Sequence, residues 1–275
     1  MKQIIKRGRF FTLMFMLLGC LSLYAADNDL ITKQITINLE EAGTLPDRIA
    51  SSKKYKITNL KIIGEINGTD LKMIREMAGG NYTAGKLSVL DLSEAKIVEG
   101  GDSYYYNYYT SNDVIGSYAF HDCSRLTSLN LPAGVTEIGY RAFKGCSGLT
   151  SLTLPAGITE IGKEAFYGCS GLTSIYVYAE KVPKIYSDVF LGIDAKKCTL
   201  YVPMGTYDDY WVSDFGNYFE NIVEFDATGI DKTTTSTDVE EVGRYSVNGQ
   251  RLSAPTKGLN IVKYSDGSVK KVAVR

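Results

Sequence analysis

At 275 residues and 44% hydrophobic content, the chain has room for one or two domains with a substantial core, and disorder is not its default state. Its 30 basic and 31 acidic residues nearly cancel; taking away residues 1–25, which hold Lys2, Lys6, Arg7 and Arg9 and no acid, leaves 26 against 31, a net −5. That balance gives no indication of a nucleic-acid partner.

The first basic residues are followed by an apolar run from Phe10 to Tyr24, the order of an export signal. These 15 residues are too few for an upright membrane span, so no transmembrane span is expected in the mature chain. Two cleavage readings compete. Leu17-Leu18-Gly19-Cys20 has the form of a lipobox that would lipidate Cys20 and give an outer-membrane lipoprotein, whereas Ala25-Ala26 offers an ordinary signal-peptidase site. The second is preferred, because the apolar run continues past Cys20 to Tyr24. Either route predicts export, to the medium or the outer cell surface, and the preferred one makes residues 1–25 the signal peptide.

Residues 26–113 read as an N-terminal cap with irregular repeats. Gln34 to Leu39 alternates Ile35, Ile37 and Leu39, a strand suited to closing the first edge. Ile57 to Ile62 and Leu87 to Leu92 fit one strand template, and Thr69 to Ala78 between them reads as a helix with Leu71, Ile74 and Met77 on one side, stopped by Gly79-Gly80.

Residues 114–180 hold three regular copies of a 23-residue unit, starting at Val114, Val135 and Ile158, the first copy two residues short at its start. A unit this short cannot bury its own apolar face and must stack on its neighbours, which makes the chain a solenoid. LTSLNL, LTSLTL and LTSIYV carry the L-x-x-L-x-L pattern of a leucine-rich repeat strand. Leu129, Leu131, Leu152, Leu154, Ile175 and Val177 are expected inside, and Ser128, Asn130, Ser151, Thr153, Ser174 and Tyr176 outside. Pro132 and Pro155 end the strands. The second half, IG-x-x-AF-x-GCS, places Ile138 and Phe143, then Ile161 and Phe166, in the core around a short helical turn ended by Gly145 or Gly168. Cys123, Cys146 and Cys169 recur at one place in each copy; three equivalent positions cannot all pair, so they read as a ladder of free buried thiols. The predicted fold class is therefore a repeat solenoid, mainly β, of leucine-rich repeats with short helical turns, two caps and a small C-terminal β unit.

Residues 181–226 echo the repeat loosely through Ile185, Phe190, Leu200 and Val202. Tyr207, Tyr210, Trp211, Phe215, Tyr218, Phe219 and Ile222 then form a segment fit to plug the open end, with Trp211 expected in the core rather than as a ligand platform. Residues 227–241 read as a polar linker. Residues 242–275 change character: Asn248-Gly249 and Asp266-Gly267 each sit between apolar flanks as hairpin turns of a small β tail.

The AF-x-GCSGLTSLTLP sentence resembles the BspA-type (Treponema-like) leucine-rich repeat proteins of bacterial cell surfaces. INGTDLKMIREMAGG, LDLSEAKIVEGG and CTLYVPMGTYDDYW resemble the flanks of such proteins in Bacteroidales, so the likeness spans about residues 30 to 226. It implies an exported protein whose best-known relatives adhere to host matrix proteins and to other bacteria, and it supplies no catalytic motif. The tail resembles the last part of a C-terminal sorting domain of type IX secretion in Bacteroidetes, and sorting or attachment stands beside vestige as its role.

No catalytic, cofactor-binding or metal-binding residues are assigned. His121 is the one histidine and stands where other copies have Lys144 and Tyr167, which nearly excludes imidazole triads and histidine-rich zinc sites. Two surfaces are candidates for recognition. One is the insertion Ser103 to Thr110, whose Tyr104, Tyr105, Tyr106, Tyr108 and Tyr109 offer rigid amphipathic contact area, against the competing reading that the loop folds back and buries several rings. The other is the outward strand ladder Asp91, Asn130, Thr153 and Tyr176. The expected partner is an extracellular protein or glycan; the expected function is binding and adhesion without catalysis, the alternative being a carbohydrate-active protein that uses the tyrosine loop.

Overall fold

The structure, a computed structural model, describes residues 29–226, 241–246, 251, 252, 254, 257–264 and 269–274. The predicted signal peptide with Cys20, nearly all of the linker, and the Asn248-Gly249 and Asp266-Gly267 turns lie outside the described residues. The chain forms two compact units, Met1–Ala227 and Thr228–Arg275.

The first unit opens with β1 (Ile35–Leu39), β2 (Asn59–Ile66) and β3 (Val89–Ile97), all parallel. Alternation buries Ile37 and Leu39, Leu60 and Ile62, Leu90 and Leu92 on one face. A one-turn helix, α1 (Leu45–Arg48), lies between β1 and β2, and α2 (Gly68–Met77) between β2 and β3, one residue ahead of its predicted span. The Asn67 side chain accepts from Thr69 N–H at 3.0 Å while Asp70 accepts from Asn67 N–H at 2.9 Å, a reciprocal cap. Asp70 also accepts from Gly43 N–H at 2.6 Å and Leu45 N–H at 2.9 Å, so one buried carboxylate ties the approach to α1 onto the start of α2. An antiparallel hairpin, β4 (Gly100–Tyr105) and β5 (Tyr108–Thr110), follows.

From Val114 each repeat lays down two strands: β6 (Val114–Ile115) and β7 (Ser128–Asn130), β8 (Glu137–Ile138) and β9 (Ser151–Leu154), β10 (Glu160–Ile161) and β11 (Ser174–Val177), β12 (Lys184–Ile185) and β13 (Thr199–Pro203). After α3 (Tyr207–Val212), β14 (Asn221–Phe225) closes the stack. The long face reads β1-β2-β3-β7, then β9-β11-β13-β14, with Thr150 N–H reaching Thr127 O at 3.3 Å where β7 and β9 adjoin. The two-residue strands form a second parallel sheet, β6-β8-β10-β12, which the repeat pattern does not announce.

Between the sheets run two columns. Phe120, Phe143, Phe166 and Phe190 stack at 5.2, 5.1 and 5.6 Å with ring planes within 5° of one another. Cys123, Cys146 and Cys169 are free and buried, as is Cys198 on the next rung, and burial pushes the Cys123 and Cys169 thiols up to about 12. The Cys146 and Cys169 thiols donate to Phe120 O and Phe143 O at 3.0 and 3.1 Å. Residues 181–203, loose in sequence, thus build a full rung.

The expected helical turn is instead a chain of tight turns. Arg141 and Glu164 adopt φ of 53° and 56°, and Gly145 and Gly168 φ of 77° and 72°, which interrupts any helix and sends backbone donors to the next rung, as Phe143 N–H does to Ala165 O at 2.7 Å. The glycine of the IG pair is required by contact: a Cβ on Gly162 would lie 2.8 Å from Gly139 C.

In the second unit β15 (Glu241–Ser246), β16 (Arg251–Leu252), β17 (Gly258–Tyr264) and β18 (Val269–Val274) form an antiparallel sheet ordered β16-β15-β17-β18.

Candidate functional site

The five tyrosines of the insertion divide between two roles. The hairpin lies on α2: Asp102 N–H donates to Thr69 Oγ1 at 2.9 Å, and a Cβ on Gly68 would fall 1.9 Å from Asp102 O. Tyr104 points inward, 2% exposed, with its hydroxyl donating to Ser117 O at 2.8 Å; burial raises its pKa to about 12. Tyr105 is half-buried over the Arg75 guanidinium, 4.5 Å from ring centre to Cζ, and meets Tyr118 at 5.3 Å and His121 at 6.0 Å. Arg75 itself is buried and donates to Ala119 O at 2.8 Å and to Tyr118 O. Tyr106, Tyr108 and Tyr109 face solvent, at 79%, 38% and 58% exposure. The folding-back reading therefore holds for Tyr104 and Tyr105 and fails for the other three.

His121 stands in this aromatic cluster with Nδ1 3.2 Å from Asp122 Oδ2. Burial pulls its pKa below the ordinary imidazole value, the nearby Asp122 opposing and the Arg75, Lys144 and Arg141 cations assisting. On the same side, Glu164 accepts from Arg141 Nε and Nη2 at 2.9 and 3.1 Å and from Lys144 Nζ at 2.7 Å, and these bonds pull its carboxyl down to about 2. Among the described residues, no group of three or more His, Cys, Asp or Glu side chains could hold a metal ion.

The outward ladder of the long sheet is the second surface. Register places Lys61 beside Asp91, Asp91 beside Asn130, Thr153 beside Tyr176, Tyr176 beside Tyr201 and Tyr201 beside Val223. Chemistry changes along this row. Lys61 lies 3.5 Å from Asp91 and 2.5 Å from Glu94. Partial burial works against ionising Asp91, but hydrogen bonds from Ser93 and Asn130 and the Lys61 charge outweigh it and hold its carboxyl below the ordinary range. Asn130 and Thr153 form a small polar middle. Tyr176 and Tyr201 then stack at 4.4 Å with planes 8° apart, and Phe225 stands edge-on to Tyr176 at 5.7 Å and to Tyr178 at 5.0 Å. Eight strands at ~4.8 Å make this strip about 34 Å long.

The prediction names Tyr176 but misses Tyr201 and Phe225. The signal was present: Ile175-Tyr176-Val177 and Leu200-Tyr201-Val202 have one pattern. The repeated threonines are a further signal in the sequence. Thr127 Oγ1 donates to Ser88 O at 3.0 Å, Thr150 to Thr127 O at 3.2 Å and Thr173 to Thr150 O at 3.1 Å, a hydroxyl ladder that secures each rung to its neighbour.

The expectation for Trp211 is corrected. Tyr210 is fully buried with its hydroxyl donating to Ala179 O at 2.7 Å, and since neighbours on a helix are ~100° apart, Trp211 is turned outward. It is 48% exposed and lies parallel to Tyr207, one turn earlier, within 6° at 6.2 Å. Phe215, Phe219 and Ile222 do plug the stack, with Phe215 and Phe219 against Phe190 at 5.7 and 5.0 Å. No helix among the described residues is long and apolar enough to cross a membrane.

Residues 105–211 match the family model described as the BspA type leucine rich repeat region, in six copies. The fold is a leucine-rich repeat solenoid, mainly β. No curated protein matches. Four chains of known structure do; one is a leucine-rich repeat protein from Bacteroides ovatus ATCC 8483, whose crystal structure was determined at 1.19 Å. It is 24% identical over 62% of this chain, with a TM-score of 0.36, and the match spans 43% of that chain.

Proposed function

We propose that this chain is a non-enzymatic, exported bacterial surface protein that binds an extracellular protein through the outer face of its long sheet and serves adhesion to host or microbial macromolecules. The observation that carries this reading is the Tyr176–Tyr201 pair walled by Phe225, a preformed aromatic surface at one end of a polar strip. Rigid aromatic rings supply contact area at low ordering cost and dominate interface energetics. Export rests on the basic and then apolar N-terminal segment, and the antiparallel sheet β16-β15-β17-β18 serves surface attachment in this reading. Tyr106, Tyr108 and Tyr109 form a secondary contact.

The test is a panel of immobilised matrix proteins and a glycan array, both challenged with the mature chain. The expected outcome is protein binding that falls at least tenfold when Tyr176 and Tyr201 are both changed to Ser, with the melting temperature shifted by less than about 3 °C. Binding to glycans alone, or protein binding indifferent to both tyrosines, overturns the proposal.

A further inference from the structure

We propose that the N-terminal edge of the long sheet, along β1, is a docking groove for an extended peptide strand that carries acidic side chains. This surface is separate from the sheet face and does not rest on the reading above.

The first ground is the backbone. Among the described residues β1 ends its sheet and pairs with β2 alone. In a parallel ladder alternate residues turn N–H and C=O away from the partner strand, and among the described residues no backbone group of Ile35–Leu39 bonds outside that pairing. Exposed edges are normally blunted by proline, a bulge or a charge within the strand, and Ile-Thr-Ile-Asn-Leu has none of these. Five residues at ~3.3 Å give about 16 Å of pairing length, enough for a peptide of five or six residues.

The second ground is shape. A groove of about 420 Å³ runs along this edge, its apolar lining including Ile31, Ile35, Ile49 and Ile57. A strand added to β1 would place alternate side chains over this lining, the arrangement that gives β-augmentation its selectivity.

The third ground is charge. Arg48 and Lys53 line the groove, both exposed, and among its described lining residues there is no carboxylate. Among the described residues neither cation forms a salt bridge, whereas Lys54 and Lys56 nearby are paired with Glu76 and Asp29. Two uncommitted cations beside an apolar lining and an open strand edge select an extended peptide with alternating apolar and acidic residues.

The probe is a fluorescent heptapeptide, Val-Glu-Val-Glu-Val-Glu-Val, titrated into the mature chain, beside a version with Lys for Glu and one with alternate backbone nitrogens methylated. The expected result is binding of the Glu peptide at least tenfold tighter than the Lys peptide, loss with the methylated peptide, and slowed amide hydrogen exchange within residues 35–39. The double variant Arg48→Glu/Lys53→Glu, exposed at both sites and so expected to fold normally, reverses the charge preference; Tyr176→Ser/Tyr201→Ser leaves it unchanged. Absent protection of residues 35–39, or an unchanged preference in the charge-reversal variant, overturns the proposal. So does protection before peptide is added: in a monomer it assigns the edge to the chain's own N-terminal residues, and in a dimer by sedimentation to a second copy.

Discussion

Residues 114–203 and residues 29–113 share one sheet but are held together by opposite means. In the regular part each stabilising group is repeated: phenylalanine on phenylalanine, thiol beside thiol, threonine hydroxyl to the previous carbonyl. No single rung is essential, since each contacts only its neighbours and the energy is spread along the column. The irregular part interrupts its rungs with α1, α2 and a hairpin and depends on two buried polar side chains, Asp70 and Arg75, each of which joins segments far apart in sequence. A translation-symmetric core tolerates local damage; a unique junction does not.

The sharpest test of this contrast is a pair of substitutions compared by urea midpoint. Asp70→Ala removes the acceptor of three backbone N–H groups in a buried site and is expected to cost about 4 kcal/mol, while Phe143→Leu in mid-column costs about 1.5 kcal/mol. A larger loss for Phe143→Leu than for Asp70→Ala breaks the comparison.

The tyrosine hairpin lies at the junction of the two parts and divides in the same way. Tyr104→Phe leaves Ser117 O without its donor and should cost about 1 kcal/mol, whereas Tyr106→Ser at the exposed tip should stay within about 0.5 kcal/mol. Equal effects at the two positions in thermal melts would place the whole hairpin on one side of the divide.

The smallest expected effect belongs to the regular part. Because the folded-state pKa of Glu164 lies near 2 against an ordinary 4.5, its contribution is fully present above about pH 4.5 and is lost as pH falls from there toward 2. Glu164→Gln should therefore flatten the acid limb of the stability profile between pH 4.5 and 2 and leave its shape unchanged above pH 5. A profile that keeps its acid slope in the variant assigns that slope to other carboxylates.

Much of the fold was legible because the repeat aligns equivalent residues every 23 positions, so burial of one phenylalanine, leucine or cysteine implies burial of the set. Less of the site was. Which tyrosines of the insertion turn inward depends on Arg75 from α2 and on the space above Gly116, where a Cβ would meet the Tyr104 hydroxyl at 2.3 Å. Neither contact leaves a local mark in Ser103 to Thr110. The Tyr176–Tyr201 pair needs a register across 25 residues of loosely matching chain, and Trp211 needed the helical phase of Tyr210.

By itself, then, the sequence determined the period, the stacked strands and the identity of the buried columns, since apolar side chains at fixed spacing have one way to leave water together. The tertiary structure decided the second sheet of two-residue strands, the polar junction at Asp70, the aromatic end of the outer face and the place of β1 at the end of its sheet. Those features arise where segments distant in the chain meet, and their energies depend on distances and registers that no local pattern encodes.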